Sequence, residues 1–75
     1  MESETIKVIR DRKQFYLREG EIELNNAMKL LHSRYFGWDS ECEKTYRELL
    51  DRSASYLTKA EAMEELLKIF DARSI

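Results

Sequence analysis

The sequence predicts an all-α protein, a small bundle of three to four helices with a helical hairpin around Gly37. Three observations support this fold class. The 75 residues contain no proline and only two glycines, so residues that break helices are almost absent. Apolar residues recur at helical spacing along most of the chain. Serine, threonine and aspartate stand where helices would begin, and two of them have a glutamate three positions later.

The length favours a single domain, residues 1–75, and the low cysteine count suggests that this domain gains stability from a partner. A core of this size rarely contributes more than about 3–5 kcal/mol, and small proteins usually add disulfides, a metal or a partner. Cys42 is the only cysteine, which excludes an internal disulfide, and one cysteine with one histidine cannot complete a structural zinc site. We therefore expect unusually good helix packing or a homodimer.

The N-terminal part predicts a first helix at about 4–19, with Ser3 as a possible N-cap. Its apolar positions are interrupted by the polar segment "RDRKQ", so "TIKVI" could instead be a short extended segment. These apolar positions are Ile6, Val8, Ile9, Phe15, Tyr16 and Leu17.

A second helix is expected at about 21–36, with one amphipathic stripe. The stripe consists of Leu24, Ala27, Met28, Leu31 and Tyr35. Gly20 either ends the first helix or lies inside one continuous helix at a cost of about 1 kcal/mol. The prediction of separate helices at 4–19 and 21–36 assumes that the first helix ends at Gly20.

Gly37 is predicted to end the second helix in the left-handed conformation, with Asp39 or Ser40 capping a third helix at about 40–56. Ser40 and Glu43 have the spacing of a capping box. The apolar face of this helix contains Cys42, Tyr46, Leu49, Leu50, Ser53 and Leu57.

A second capping box, Thr58 with Glu61, predicts a fourth helix at about 59–73. Its buried face is expected to consist of Ala60, Met63, Leu67 and Phe70, widened by Leu66 and Ile69.

The sequence gives little support for an enzyme, a metal site or a cofactor, and we expect none. His32 and Cys42 could meet across a turn, but His32 falls on the polar side of its helix and Cys42 begins an apolar stripe. Asp39, Glu41 and Glu43 resemble a calcium loop only superficially, because the glycine and the bidentate glutamate of that loop are missing.

The aromatic residues are the best candidates for a protein interface, because Trp and Tyr are frequent at the centres of interfaces. Phe36 lies off the stripe of its helix and Trp38 lies in the loop. Phe15 and Tyr16 belong to the first helix, whose interrupted stripe would be poorly buried within one chain. We expect these four side chains to contact another protein.

The alternative is a nucleic-acid-binding regulator that uses the basic segment 7–18. The phosphate contacts would come from Lys7, Arg10, Arg12, Lys13 and Arg18. The net charge of −2 and the absence of a second basic patch make this the weaker reading.

Taken together, the sequence predicts a non-enzymatic regulatory or interaction protein that presents a helical surface to another protein, as a homodimer. No apolar run long enough for a membrane span or a secretory signal is present, and the unpaired cysteine is typical of a reducing compartment. We expect a cytoplasmic protein.

Overall fold

The protein is a hairpin of two long antiparallel helices. A computed structural model describes residues 3–33 and 37–73, and these form α1 (Glu4–Ser33) and α2 (Ser40–Arg73). The molecule measures 56 × 16 × 13 Å. The all-α class is therefore confirmed, but the bundle of three to four helices is wrong, because the two breaks expected at Gly20 and Thr58 are absent.

Helix α1 begins where the sequence indicated and continues through Gly20. The Ser3 hydroxyl accepts a hydrogen bond of 3.1 Å from the Ile6 backbone N–H, which confirms the N-cap. Gly20 is buried against α2, and a Cβ at this position would lie 3.3 Å from the Leu57 side chain. Gly20 lies where the two helices approach closely and not at a helix end, so the alternative of one continuous helix applies.

Helix α2 is capped by Asp39, whose carboxylate accepts a 2.8 Å hydrogen bond from the Cys42 backbone N–H. The Glu43 side chain binds Trp38 and Arg47, so the capping box expected with Ser40 is wrong. Neither described glycine has a positive φ, so the left-handed helix stop expected at Gly37 is wrong as well.

The expected fourth helix is part of α2, because Thr58 does not act as an N-cap. Its hydroxyl donates a 2.9 Å hydrogen bond to the Ala54 carbonyl oxygen one turn earlier. Threonine readily makes this bond inside a continuous helix. The capping-box spacing with Glu61 therefore marks no helix start here.

The two helices meet along a seam of buried or half-buried residues. Successive seam residues are alternately three and four positions apart, which is the repeat of a coiled coil. On α1 the seam contains Ile6, Ile9, Lys13, Tyr16, Gly20, Glu23, Ala27 and Leu30. On α2 it contains Cys42, Tyr46, Leu49, Ser53, Tyr56, Ala60, Met63, Leu67 and Phe70.

Small residues occupy the middle of the seam. Gly20, Ala27, Ser53 and Ala60 are buried, and the Ser53 hydroxyl bonds the Gly20 carbonyl across the interface. Among the residues whose side chains are described, no large side chain is fully buried. The hairpin consequently has a narrow seam and no enclosed core.

Several residues expected in the core lie outside the seam. Leu24 and Met28 of the predicted stripe are exposed, as are Leu57, Leu66 and Ile69, which were assigned to buried faces. A seam with the coiled-coil repeat is narrower than the face expected for a helix in a globular bundle, which explains their exposure. Tyr35 lies outside the described residues.

Candidate interaction surface

Trp38, which precedes α2, makes its contacts within the chain. Trp38 is half-buried, its indole N–H donates a 2.9 Å hydrogen bond to Glu43, and its ring meets Tyr46 edge to face at 5.6 Å. The hydrogen bond from Arg47, and to a smaller extent the one from Trp38, lowers the pKa of the Glu43 carboxyl. Leu31 completes a shallow depression of about 270 Å³ here. Phe36 lies outside the described residues.

Phe15 and Tyr16 occupy different environments. Tyr16 faces the seam and stacks on Tyr56 with ring centroids 6.4 Å apart, and the Lys59 ammonium lies 5.8 Å from its ring centre. Phe15 meets Tyr16 edge to face but is 49% exposed. Of this pair, Phe15 therefore offers the larger free apolar surface.

The basic segment 7–18 is divided between solvent and the seam. Lys13 lies in the seam and forms an ion pair with Glu64, and this bond lowers the pKa of the Glu64 carboxyl. The remaining bases of the segment, Lys7, Arg10, Arg12 and Arg18, are exposed. Part of the predicted positive patch is thus neutralised within the chain.

His32 and Cys42, the two residues considered for catalysis, lie on different helices and differ in burial. His32 is exposed near the end of α1, while Cys42 is half-buried at the start of α2 and is a free thiol. Within residues 3–33 and 37–72, no three His, Cys, Asp or Glu side chains are close enough to hold a metal ion.

The two edges of the hairpin differ in character. One edge, which we call the polar flank, carries charged side chains that contact the seam. Arg52 pairs with Glu23 there, and Lys59 lies over the rings of Tyr16 and Tyr56. The positions of this flank at intervals of seven are Arg12, Glu19 and Asn26 on α1, with Thr45, Arg52, Lys59 and, near the C-terminal end, Leu66 on α2.

The opposite edge is apolar along its middle, and we call it the leucine flank. It consists of Leu17, Leu24 and Leu31 on α1, and Leu50 and Leu57 on α2. Leu31 and Glu43 line one depression, and Glu43 precedes Leu50 by seven residues, so the leucines of the two helices lie on the same edge. Leu17, Leu24 and Leu57 are 38%, 41% and 40% exposed.

Sequence reasoning missed the leucine flank although its signal was visible. Leu17, Leu24 and Leu31 are seven residues apart, as are Leu50 and Leu57. The assumed break at Gly20 divided the first series, and the second was assigned to a buried face.

Comparison with known proteins gives no relative, since no protein family, curated protein or solved structure matches this chain significantly. In the described part of the chain, neither helix has an apolar stretch that could cross a bilayer.

Proposed function

We propose that this chain is a non-enzymatic regulatory or interaction protein that presents a helical surface to another protein and acts as a homodimer. The observation that carries the proposal is the leucine flank, an apolar edge on which Leu17, Leu24 and Leu57 remain exposed. Exposed contiguous apolar surface on a protein of this size marks an interaction site. A reducing compartment such as the cytoplasm fits the free thiol of Cys42.

Size adds a second argument for association. A hairpin without a third layer cannot cover its own apolar residues, and among the side chains that the structure describes nine large hydrophobic ones are at least 38% exposed. Two-layer packing around a shared core is the usual way in which helices cover such faces. A protein partner supplies the missing layer.

Self-association and partner capture test this function together. We expect sedimentation velocity to show association that strengthens with concentration and persists as salt is raised, because apolar contacts are not screened. Immobilised chain should also retain the same protein partner from nuclease-treated and untreated extracts of its source cells. A chain that stays at 9.0 kDa and retains no protein would refute the proposal.

The nucleic-acid alternative predicts a different salt response. Labelled duplex DNA or RNA would bind through segment 7–18, and affinity would fall steeply between low and moderate salt. Because Lys13 is paired with Glu64, fewer bases are free to contact phosphates than the sequence suggested. Binding that depends on the exposed Arg12 and Arg18, with no protein association, would favour this alternative.

A further inference from the structure

We propose that the leucine flank binds a second copy of this chain, so that two hairpins pack into a four-helix bundle. This inference rests on the proposed function and names its surface and its partner. It depends on four properties of the hairpin: the area it exposes, the distribution of its apolar residues, the symmetry of the flank, and the small size of its core.

The exposed area is larger than a compact monomer has. The hairpin exposes 6070 Å², whereas a compact monomer of 9.0 kDa exposes about 4,900 Å². The excess is roughly 1,200 Å², and a standard interface buries about 800 Å² on each partner. One interface with a second copy therefore accounts for most of the excess.

The elongated shape explains where this area comes from. The radius of gyration is 16.9 Å, against about 11 Å for a compact domain of this length. A second hairpin laid along the 56 Å axis covers an edge over most of its length. A short peptide or a small ligand would cover only part of it.

Among the surfaces of the hairpin, the leucine flank is apolar on both helices. Val8, Phe15 and Ile22 also recur every seven residues on α1, but on α2 the exposed Leu66 and Ile69 lie only near the C-terminal end. The polar flank has Arg52 and Lys59 on its α2 side. A partner hairpin needs a surface as wide as two helices, and the leucine flank provides it.

The flank is also complementary to itself. The register set by the Ser53–Gly20 hydrogen bond and the Arg52–Glu23 pair places Leu24 level with Leu50 at its centre. Related by a two-fold axis, such a patch meets an identical patch, and leucines pack against leucines without charge repulsion. The residues that bound it carry both signs, with Arg10 and Glu64 at one end.

A permanent partner is required, because no large side chain is fully buried among the described residues. A helical hairpin with so little core has little stability of its own. A second copy is the partner that is present wherever the chain is made. This requirement favours self-association over a partner that is present only at times.

A pair of matched variants tests the surface. Leu24→Lys introduces a charge in the centre of the flank, and Ile22→Lys introduces the same charge two residues away on the far side of α1. The two side chains are 41% and 43% exposed, so exposure alone cannot separate them. We expect the wild type and Ile22→Lys to sediment at twice the 9.0 kDa chain mass.

Leu24→Lys should weaken dimerisation at least about a hundredfold, because each dimer loses two buried leucines. Ile22→Lys should change the dissociation constant by less than about threefold, as surface substitutions usually do. Equal effects of the two variants, or a wild type that stays monomeric at all concentrations, would overturn the inference. Circular dichroism of each variant checks that the helices persist.

A measurement on the wild type does not depend on whether the variants fold. In dimers that mix isotope-labelled and unlabelled chains, filtered nuclear Overhauser spectra report contacts between copies. We expect such contacts among the methyl groups of Leu17, Leu24 and Leu57. Contacts from Val8 or Ile22 instead would show that the dimer uses another face, which overturns this inference and leaves the proposed function standing.

Discussion

The Ser53 hydroxyl donates a 2.9 Å hydrogen bond to the Gly20 carbonyl oxygen, and both residues are buried where the two helices meet. The bond joins positions 33 residues apart, so it fixes how far one helix is displaced along the other. Its donor would otherwise lie buried without a partner. It links the close approach of the backbones to the register of the hairpin.

Ser53→Ala removes this bond and should lower the free energy of unfolding by about 0.5–1.5 kcal/mol, the usual net value of a buried hydrogen bond. Ser55→Ala is the control, because Ser55 is exposed on the same helix. Urea unfolding at one fixed protein concentration measures both. Equal stability of the two variants would mean that the bond contributes nothing.

Gly20 should tolerate one methyl group and no more. Gly20→Ala gains up to about 1 kcal/mol of helix propensity, and its Cβ would lie 3.3 Å from Leu57 and 3.4 Å from the Ser53 carbonyl oxygen. Because the half-exposed Leu57 side chain can move, we expect a small net stabilisation. Gly20→Leu should lose about 1–3 kcal/mol through overpacking.

Thermal unfolding of both Gly20 variants measures this difference, and Gly37→Ala serves as the control. A Cβ at Gly37 meets no atom within 4 Å, and its φ is not positive. We expect Gly37→Ala to unfold close to the wild type. A stable Gly20→Leu variant would contradict the tight packing described for the seam.

Glu23 is expected to destabilise the seam. Its carboxylate is largely buried, one oxygen has no hydrogen-bond partner, and Arg52 approaches it only to 3.8 Å. An apolar side chain here avoids the cost of desolvating the carboxylate, and the exposed Arg52 stays solvated without its partner, so Glu23→Leu should raise the free energy of unfolding by about 1 kcal/mol. Glu21→Leu, at an exposed position of the same helix, is the control. Destabilisation by Glu23→Leu would indicate that the ion pair with Arg52 matters more than the buried charge.

Local signals in the sequence predicted the start of α1 correctly but placed helix ends at Gly20 and Thr58 that the structure does not have. Ser3 caps α1 as predicted, because capping depends only on residues within the first turn. Gly20 was taken as a helix end, since its propensity is low and a single sequence does not show which helix packs against it. Thr58 has the spacing of an N-cap, but the bond to Ala54 satisfies its hydroxyl inside the helix.

The candidate surface was only partly predictable for the same reason. The aromatic residues attracted attention by their type, yet Trp38 and Tyr16 make contacts within the chain. Leu24 and Leu57 have an ordinary type and were assigned to a core. Whether they are buried depends on the number of layers in the fold, which periodicity along one chain does not determine.

The Lys13–Glu64 pair should make stability depend on pH in the acid range. The bond from Lys13 lowers the pKa of Glu64 in the folded protein below its ordinary value of 4.5. The unfolded chain therefore binds the proton more readily, so the pair stabilises the fold above pH 4.5 and this contribution is lost as pH falls through the lowered pKa.

Glu64→Gln should melt at a lower temperature than the wild type at neutral pH, with a difference that shrinks on acidification. Melting curves across this range measure the effect, and Glu61→Gln, exposed on the same helix, should show no such convergence. Parallel curves for Glu64→Gln and the wild type would show that the pair contributes nothing that depends on pH.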